Sequence, residues 1–174
     1  MKYQSKKYQR PLKPWSKERI DSEKKLKQDY GLRRKHEIQR AESILRNLRS
    51  QARELQSKHN KERERMLLDK LGKLGVIGEN STLDDVLALT VTDILNRRLQ
   101  TVVWKRGFAS TPFQARQYIT HGHIAIDKRK VRWPSTLVNT SAESRISYYK
   151  KNLTEIKQKG GNVGESRTET TKAA

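Results

Sequence analysis

The sequence predicts an α+β protein, mostly helical. A helical N-terminal half precedes a unit of two helices and a small antiparallel sheet, with a basic arm at one end and a disordered tail at the other. Three observations predict this. Between Ile38 and Leu55 the apolar residues recur at helical spacing. Between Arg97 and Asp127 the chain reads as helix, tight turn, capped helix, glycine stop and strand. Hydrophobic residues make up only 33% of the 174 positions and charged residues another 33%, so a core exists but cannot fill the whole length.

Met1 to Tyr30 is basic and poorly periodic. Pro11 and Pro14 bracket Leu12-Lys13 and disfavour a continuous helix there. Trp15 and Ile20 offer apolar anchors before Leu26. The segment reads either as a disordered tail or as an arm that orders against a phosphate surface, and its charge favours the arm. Tyr30-Gly31-Leu32 punctuates the chain, and a helix is predicted to begin near Arg34. Ile38, Ala41, Leu45, Leu48, Ala52 and Leu55 are spaced 3, 4, 3, 4, 3, which places them on one narrow stripe. Arg40, Arg46, Arg49 and Arg53 lie off its centre. They read equally well as a solvated face, with pairs such as Glu42 to Arg46, or as a contact surface.

Ser57-Lys58-His59-Asn60-Lys61 interrupts the pattern, and Met66, Leu67, Leu71 and Leu74 resume it. Gly72, Gly75 and Gly78 then loosen the chain. Ser81 or Thr82 is a natural N-cap, with Asp84 and Asp85 in the first turn where the helix dipole favours them. Thr90-Val91-Thr92-Asp93 has capping-box form and leads into Ile94, Leu95 and Leu99.

At 100° per residue, Leu95, Leu99, Val102 and Val103 cluster on one side of the next helix. Arg98, Thr101 and Lys105 cluster on another, with Arg97 beside them. Gly107 ends that helix. Thr111 caps a second one, with Pro112 at the first helical position and Gln114 three residues after the cap. Ala115, Tyr118 and Ile119 then face inward, and Arg116, Gln117, Thr120 and His121 outward. Gly122 is the stop and His123 opens a strand. Val131 to Pro134 is expected to pair with His123 to Ile126 around an Asp127-Lys128-Arg129-Lys130 turn. Leu137-Val138 and Ile146 to Tyr149 are weaker strand candidates. Gly160 to Ala174 lacks apolar periodicity and is expected to be mobile. The predicted units are thus a basic arm over 1–30, a helical domain over 31–95, the two-helix and sheet module over 96–155, and a flexible tail over 156–174.

Lys and Arg number 39 against 19 Asp and Glu, a net charge of +20. Self-repulsion at that charge disfavours the isolated compact state, and a polyanion would relieve it. Nucleic acid is the first candidate and an anionic membrane surface the second. The charge is local: residues 71–95 hold 1 basic and 4 acidic residues, whereas residues 96–134 hold 9 and 1. The absence of cysteine excludes disulfides, a zinc ribbon and thiol chemistry. No apolar run approaches the roughly 20 residues that span a bilayer, and no apolar segment follows the N-terminus, so a cytoplasmic protein is the default.

Two outer helix faces and a basic hairpin turn therefore share one predicted surface. Guanidinium groups donate two parallel bonds to phosphate oxygens, and Gln117, Thr120 and the two histidines can donate to phosphate or 2′-hydroxyl oxygens. Such a surface reads the shape and backbone of folded RNA. Each residue also has a plainer role. Arg97 and Arg98 could pair with Asp93 or solvent. His121-Gly122-His123 is too isolated for a metal site. Trp104 could stack on a base, but the edge of the core is favoured, and Phe113 could dock on a neighbouring segment or on RNA.

These residues carry a resemblance. Arg98-Leu99, Val102-Val103, Gly107-Phe108-Ala109-Ser110-Thr111, Ala115-Arg116 and His121-Gly122-His123-Ile124 resemble the S-four RNA-binding domain. With Lys13-Pro14-Trp15, Lys17-Glu18-Arg19, Tyr30-Gly31-Leu32-Arg33, Arg40-Ala41-Glu42, Gln51-Ala52-Arg53-Glu54-Leu55 and Asn96 to Thr101, the chain is similar to the small ribosomal subunit protein four family in its archaeal and eukaryotic-cytosolic form. The resemblance covers roughly residues 1–155. It implies helical bundles with the module's sheet inserted, and a structural, non-enzymatic, monomeric component of the small ribosomal subunit. That component would bind the 5′ domain of small-subunit ribosomal RNA at a multi-helix junction early in assembly, near the messenger entry path and beside protein five. It implies RNA contacts at Arg97, Arg98, Lys105, Arg116, Gln117, His121, His123, Lys128 and Arg129. No cofactor, zinc or membrane is expected. The cysteine cluster of many bacterial members is missing, and Trp133 stands where smaller residues are usual.

The competing readings are weaker. An RNA-modifying enzyme needs a catalytic domain, and neither a glycine-rich cofactor loop nor a nucleophile elbow is present. A helix-turn-helix DNA binder does not explain the strand after Gly122 or the basic arm. A stand-alone factor that recycles stalled ribosomes does not explain the long N-terminal half.

Overall fold

Ser16 takes an extended conformation and starts α1 (Lys17–Asp29) in the computed structural model, which describes residues 7–78 and 81–149. The poor periodicity of residues 1–30 hides this helix, and the reason is chemical. Its inward positions include Glu23, 4% exposed, which pairs with Arg19 at 3.0 Å and Lys35 at 3.5 Å. A paired charge satisfies burial without leaving an apolar signature. The arm expected over 1–30 is therefore helical over nearly half its length, and Leu26 and Tyr30 pack on the first core.

Gly31, at φ +59°, turns the chain, and the Leu32 N–H reaches back to the Lys27 carbonyl at 2.9 Å. α2 (Lys35–Lys58) follows, with Ile38, Ala41, Leu45, Leu48 and Ala52 all buried, as the stripe predicts. His59 closes α2 in the left-handed region. The Asn60 side chain then accepts the Arg63 N–H at 3.2 Å and starts α3 (Lys61–Leu74). Leu67 and Leu71 are buried there, but Met66 is 70% exposed and lies off the inner face.

Two short helices, α4 (Leu83–Ala88) and α5 (Val91–Asn96), pack across α2. Both carry the predicted capping boxes. Asp85 accepts the Thr82 N–H at 2.7 Å, and Asp93 accepts the Thr90 N–H at 2.8 Å. Leu83, Val86, Leu89, Ile94 and Leu95 complete a first core around α2.

The second core holds Leu99, Val102, Val103, Ala109, Ala115, Ile119, Ile124, Val138 and Ile146. Its elements are α6 (Leu99–Lys105), α7 (Pro112–Thr120), β1 (Ile124–Ile126), β2 (Arg129–Lys130), α8 (Thr140–Glu143) and β3 (Ile146–Tyr148). The sheet is antiparallel in the order β2-β1-β3, with Ala125 opposite Lys130 and Ser147.

Two expectations need correction. The helix read through Leu95 to Lys105 is broken at Arg97-Arg98. Arg98 is extended, the Leu99 N–H donates to the Thr136 carbonyl at 2.8 Å, and the Val138 N–H donates to the Arg97 carbonyl at 2.9 Å. A segment forty residues away thus takes the bonds that helix continuation would use, and no local pattern reveals it. The hairpin turn is also shorter than expected. Asp127 and Lys128 both have positive φ, at 51° and 64°, and form a two-residue turn, so pairing resumes at Arg129 rather than Val131. Among the described residues no helix is long and apolar enough to cross a membrane. Residues 1–6 of the arm, the end of the module at 150–155 and the expected tail over 156–174 lie outside the described residues.

Candidate nucleic-acid interface

A buried amide is one of the links between the two cores. Gln100 is 1% exposed, and its Nε2 donates among the carbonyls of Tyr30 at 3.1 Å, Gly31 at 2.9 Å and Pro112 at 3.0 Å. It sits in the first turn of α6 and so ties that helix to the α1–α2 turn and to the start of α7. Gly31 is required at this joint: a Cβ there would stand 2.8 Å from the Pro112 Cβ.

Beside the joint runs a groove with one wall from α2 and the other from the module. Glu37 lies at its base. Arg98 approaches one of its oxygens at 2.6 Å, and Arg116 holds the carboxylate with both terminal nitrogens at 3.1 Å. The Arg33 N–H adds a fourth donor at 3.2 Å. Burial alone works to raise the Glu37 carboxyl; the hydrogen bond from Arg116 and the charge and hydrogen bond of Arg98 outweigh it and hold it below the ordinary carboxylate value. Burial lowers the Arg98 guanidinium from its usual value, with Glu37 opposing.

With Glu37 engaged, the groove presents cations. Arg33, Arg34, Arg40, Arg98, Arg116 and Arg132 line it, with His36 and Thr120, against the single carboxylate. Arg33, Arg34, Arg40 and Arg132 are exposed. Trp133, 74% exposed, stands at its rim. The loop that carries it is fixed by α6, whose first two N–H groups donate to the carbonyls of Thr136 at 2.8 Å and Pro134 at 3.3 Å.

The sequence-predicted residues separate into groups. Arg98 and Arg116 meet at Glu37. His121 and His123 stack with ring centroids 6.2 Å apart, and with Lys130 and Tyr149 they line a second recess. Lys128 and Arg129 are exposed on the hairpin, Gln117 is exposed on α7, and Lys105 is exposed while donating to Asn96 at 3.0 Å. Arg97 and Arg98 do not project outward as the continuous helix predicts. Arg98 is 6% exposed at its side chain, and Arg97 pairs with Glu143 at 3.1 Å and donates to the Val138 carbonyl at 3.0 Å. Thr101, placed on the same outer cluster, is buried and donates to the Leu95 carbonyl at 2.8 Å. The break at Arg97-Arg98 turns all three inward. Trp104 packs at the edge of the second core, and Phe113 is exposed.

Sequence reasoning missed Arg33, Arg34, Arg132 and Trp133 as members of the groove, and left Arg40 open between a solvated face and a contact surface. The paired Arg33-Arg34 just before a helix start, and an indole between Arg132 and Pro134, were the available signals. Among the described residues no group of three or more His, Cys, Asp or Glu is placed to hold a metal ion.

Residues 97–144 match the S4 domain family. A small ribosomal subunit protein uS4 of Picrophilus torridus is 50% identical over 153 residues, which is 84% of each chain. The chain belongs to the uS4 family. Further uS4 relatives are those of Ignicoccus hospitalis, 49% identical over 82% of this chain and 88% of that one, and Saccharolobus solfataricus, 49% identical over 83% and 82%. In this uS4 chain the S4 match takes in α6, α7, β1, β2 and α8, and stops just before β3. The Arg33, Arg34 and Arg40 wall of the groove lies outside it.

Proposed function

We propose that this chain is a structural, non-catalytic component of the small ribosomal subunit, acting by binding small-subunit ribosomal RNA. The observation that carries the reading is the groove itself, where six arginines from both halves of the fold face one carboxylate already held by two of them. Such a surface has cations in excess and grips a phosphate backbone by its shape. The units over 31–95 and 96–155 act as its two jaws, with the basic arm over 1–30 alongside. Lys105, Arg116, Gln117, His121, His123, Lys128 and Arg129 supply direct phosphate or 2′-hydroxyl contacts, whereas Arg97 and Arg98 support the surface from within. The finer assignments are the multi-helix junction of the 5′ domain, an early place in assembly, neighbourhood with protein five and the messenger entry path, and a monomeric state in a cytoplasmic ribosome. They rest on likeness to the uS4 relatives.

The test is competition binding. A 5′-domain transcript of small-subunit RNA is expected to outcompete duplex DNA at equal phosphate concentration, with a log–log salt slope of roughly −0.7 to −0.9 per phosphate contact. Changing Arg33, Arg34 and Arg132 to Glu together is expected to reduce affinity with circular dichroism unaltered. Equal competition by duplex DNA would remove this reading.

A further inference from the structure

Phosphate binding leaves Trp133 unexplained. It is a large indole, 74% exposed, on a groove otherwise lined by arginines, other polar side chains and Pro134. Neither core needs it. Its position is nonetheless set, because the carbonyls of Pro134 and Thr136 receive the first N–H groups of α6 and the Thr136 N–H returns to the Trp133 carbonyl at 3.3 Å. The ring is therefore offered on a pinned loop, so little backbone freedom is lost when a flat ligand covers it.

The surroundings select the ligand. An apolar protein surface seated on Trp133 would strip water from Arg33, Arg34 and Arg132 without returning hydrogen bonds. A nucleotide meets both demands, since its base offers a π-face and its phosphates offer acceptors to the guanidiniums. Within a duplex both faces of each base are covered by neighbours, so the base must come from a loop, bulge or junction.

We propose that Trp133 stacks on an unpaired base of the bound RNA while Arg33, Arg34 and Arg132 hold the phosphates beside it. The proposal rests on the RNA reading above and adds to it a site where the chain distinguishes unstacked from stacked nucleotides.

The experiment uses the full chain and the 5′-domain transcript. With Trp15 and Trp104 both changed to Phe, Trp133 is the sole indole, and its emission is expected to be quenched as RNA is added. Trp133→Ala is expected to lose about 5- to 160-fold in affinity, the range of one base–aromatic stack. That loss is expected to be the same at every salt concentration, and Trp133→Phe is expected to restore most of it. Arg34→Gln, by contrast, is expected to flatten the salt slope by about 0.7 to 0.9. If the parent chain binds the transcript and Trp133→Ala binds it equally well with no quenching in the sole-indole chain, the stacking site is wrong and the RNA reading survives. If the parent chain does not prefer the transcript over duplex DNA, both fall. If the indole is shielded only when other small-subunit proteins are added, its partner is a protein and the proposal is overturned.

Discussion

Glu37 is a short side chain with four donors around it: two nitrogens of Arg116, one of Arg98 and the Arg33 amide. Its side chain is 13% exposed and that of Arg98 is 6% exposed, so neither charge has water enough to stand alone. Glu37→Gln leaves Arg98 buried without a counter-ion. The expected loss is about 3 kcal/mol, within the range for breaking one partner of a buried pair, and is measurable by urea unfolding at neutral pH. The same carboxylate sets a pH dependence. Its folded value lies below the ordinary 4.5, so its stabilisation is fully present above that value and is lost as pH falls through the lower, folded value. The stability difference between the parent chain and Glu37→Gln is therefore expected to be constant from pH 7 to about 5 and to shrink below pH 4.5. A difference that persists unchanged to pH 3 would mean that Glu37 acts through shape and not through charge.

At the scale of elements the β1–β2 hairpin carries the clearest prediction. Lys128 sits at φ 64°, a conformation that disfavours L-residues by about 1 kcal/mol. Lys128→Gly is expected to raise the melting temperature by a few degrees while flattening the RNA salt slope by about 0.7 to 0.9, because one proposed phosphate contact is removed. Thermal unfolding and a salt titration on the same variant separate the two effects. The elements themselves were unevenly legible. α2, α4, α5 and α7 announced themselves through apolar period or side-chain caps, which are local properties. α1 stayed hidden because Glu23 fills an inward position with a paired charge. The break at Arg97-Arg98 was hidden because its hydrogen bonds come from residues 136–138. The hairpin turn reads as four residues rather than two because the Asp127-Lys128 pair lacks the glycine that usually marks positive φ.

For the whole molecule the decisive contact is between halves. Gly31→Ala forces a Cβ against Pro112 and Gln100 in a left-handed turn, and is expected to destabilise the chain by roughly 2 kcal/mol. Hydrogen exchange checks this: amides near Leu32 and near Ala115 are expected to lose protection together. Faster exchange on one side alone would mean that the joint is not shared. The basic block over 96–134 contains Arg98, Arg116 and Arg132 of the groove, but the groove's other wall is not readable there. Arg33, Arg34 and Arg40 become its second wall because Gln100 holds the α1–α2 turn, and Arg98 and Arg116 hold Glu37, against the module.

Arg33 and Arg132 face the same groove yet stand about a hundred positions apart along the chain. Synthesis delivers the first wall long before the second. Until positions 98 and 116 have been made Glu37 has no guanidinium from the module, and until position 132 the groove lacks part of its second wall. The groove is therefore completed only about a hundred residues after its first wall has been made, and under the proposed function this separates early, unselective attraction to polyanions from later, shape-dependent binding.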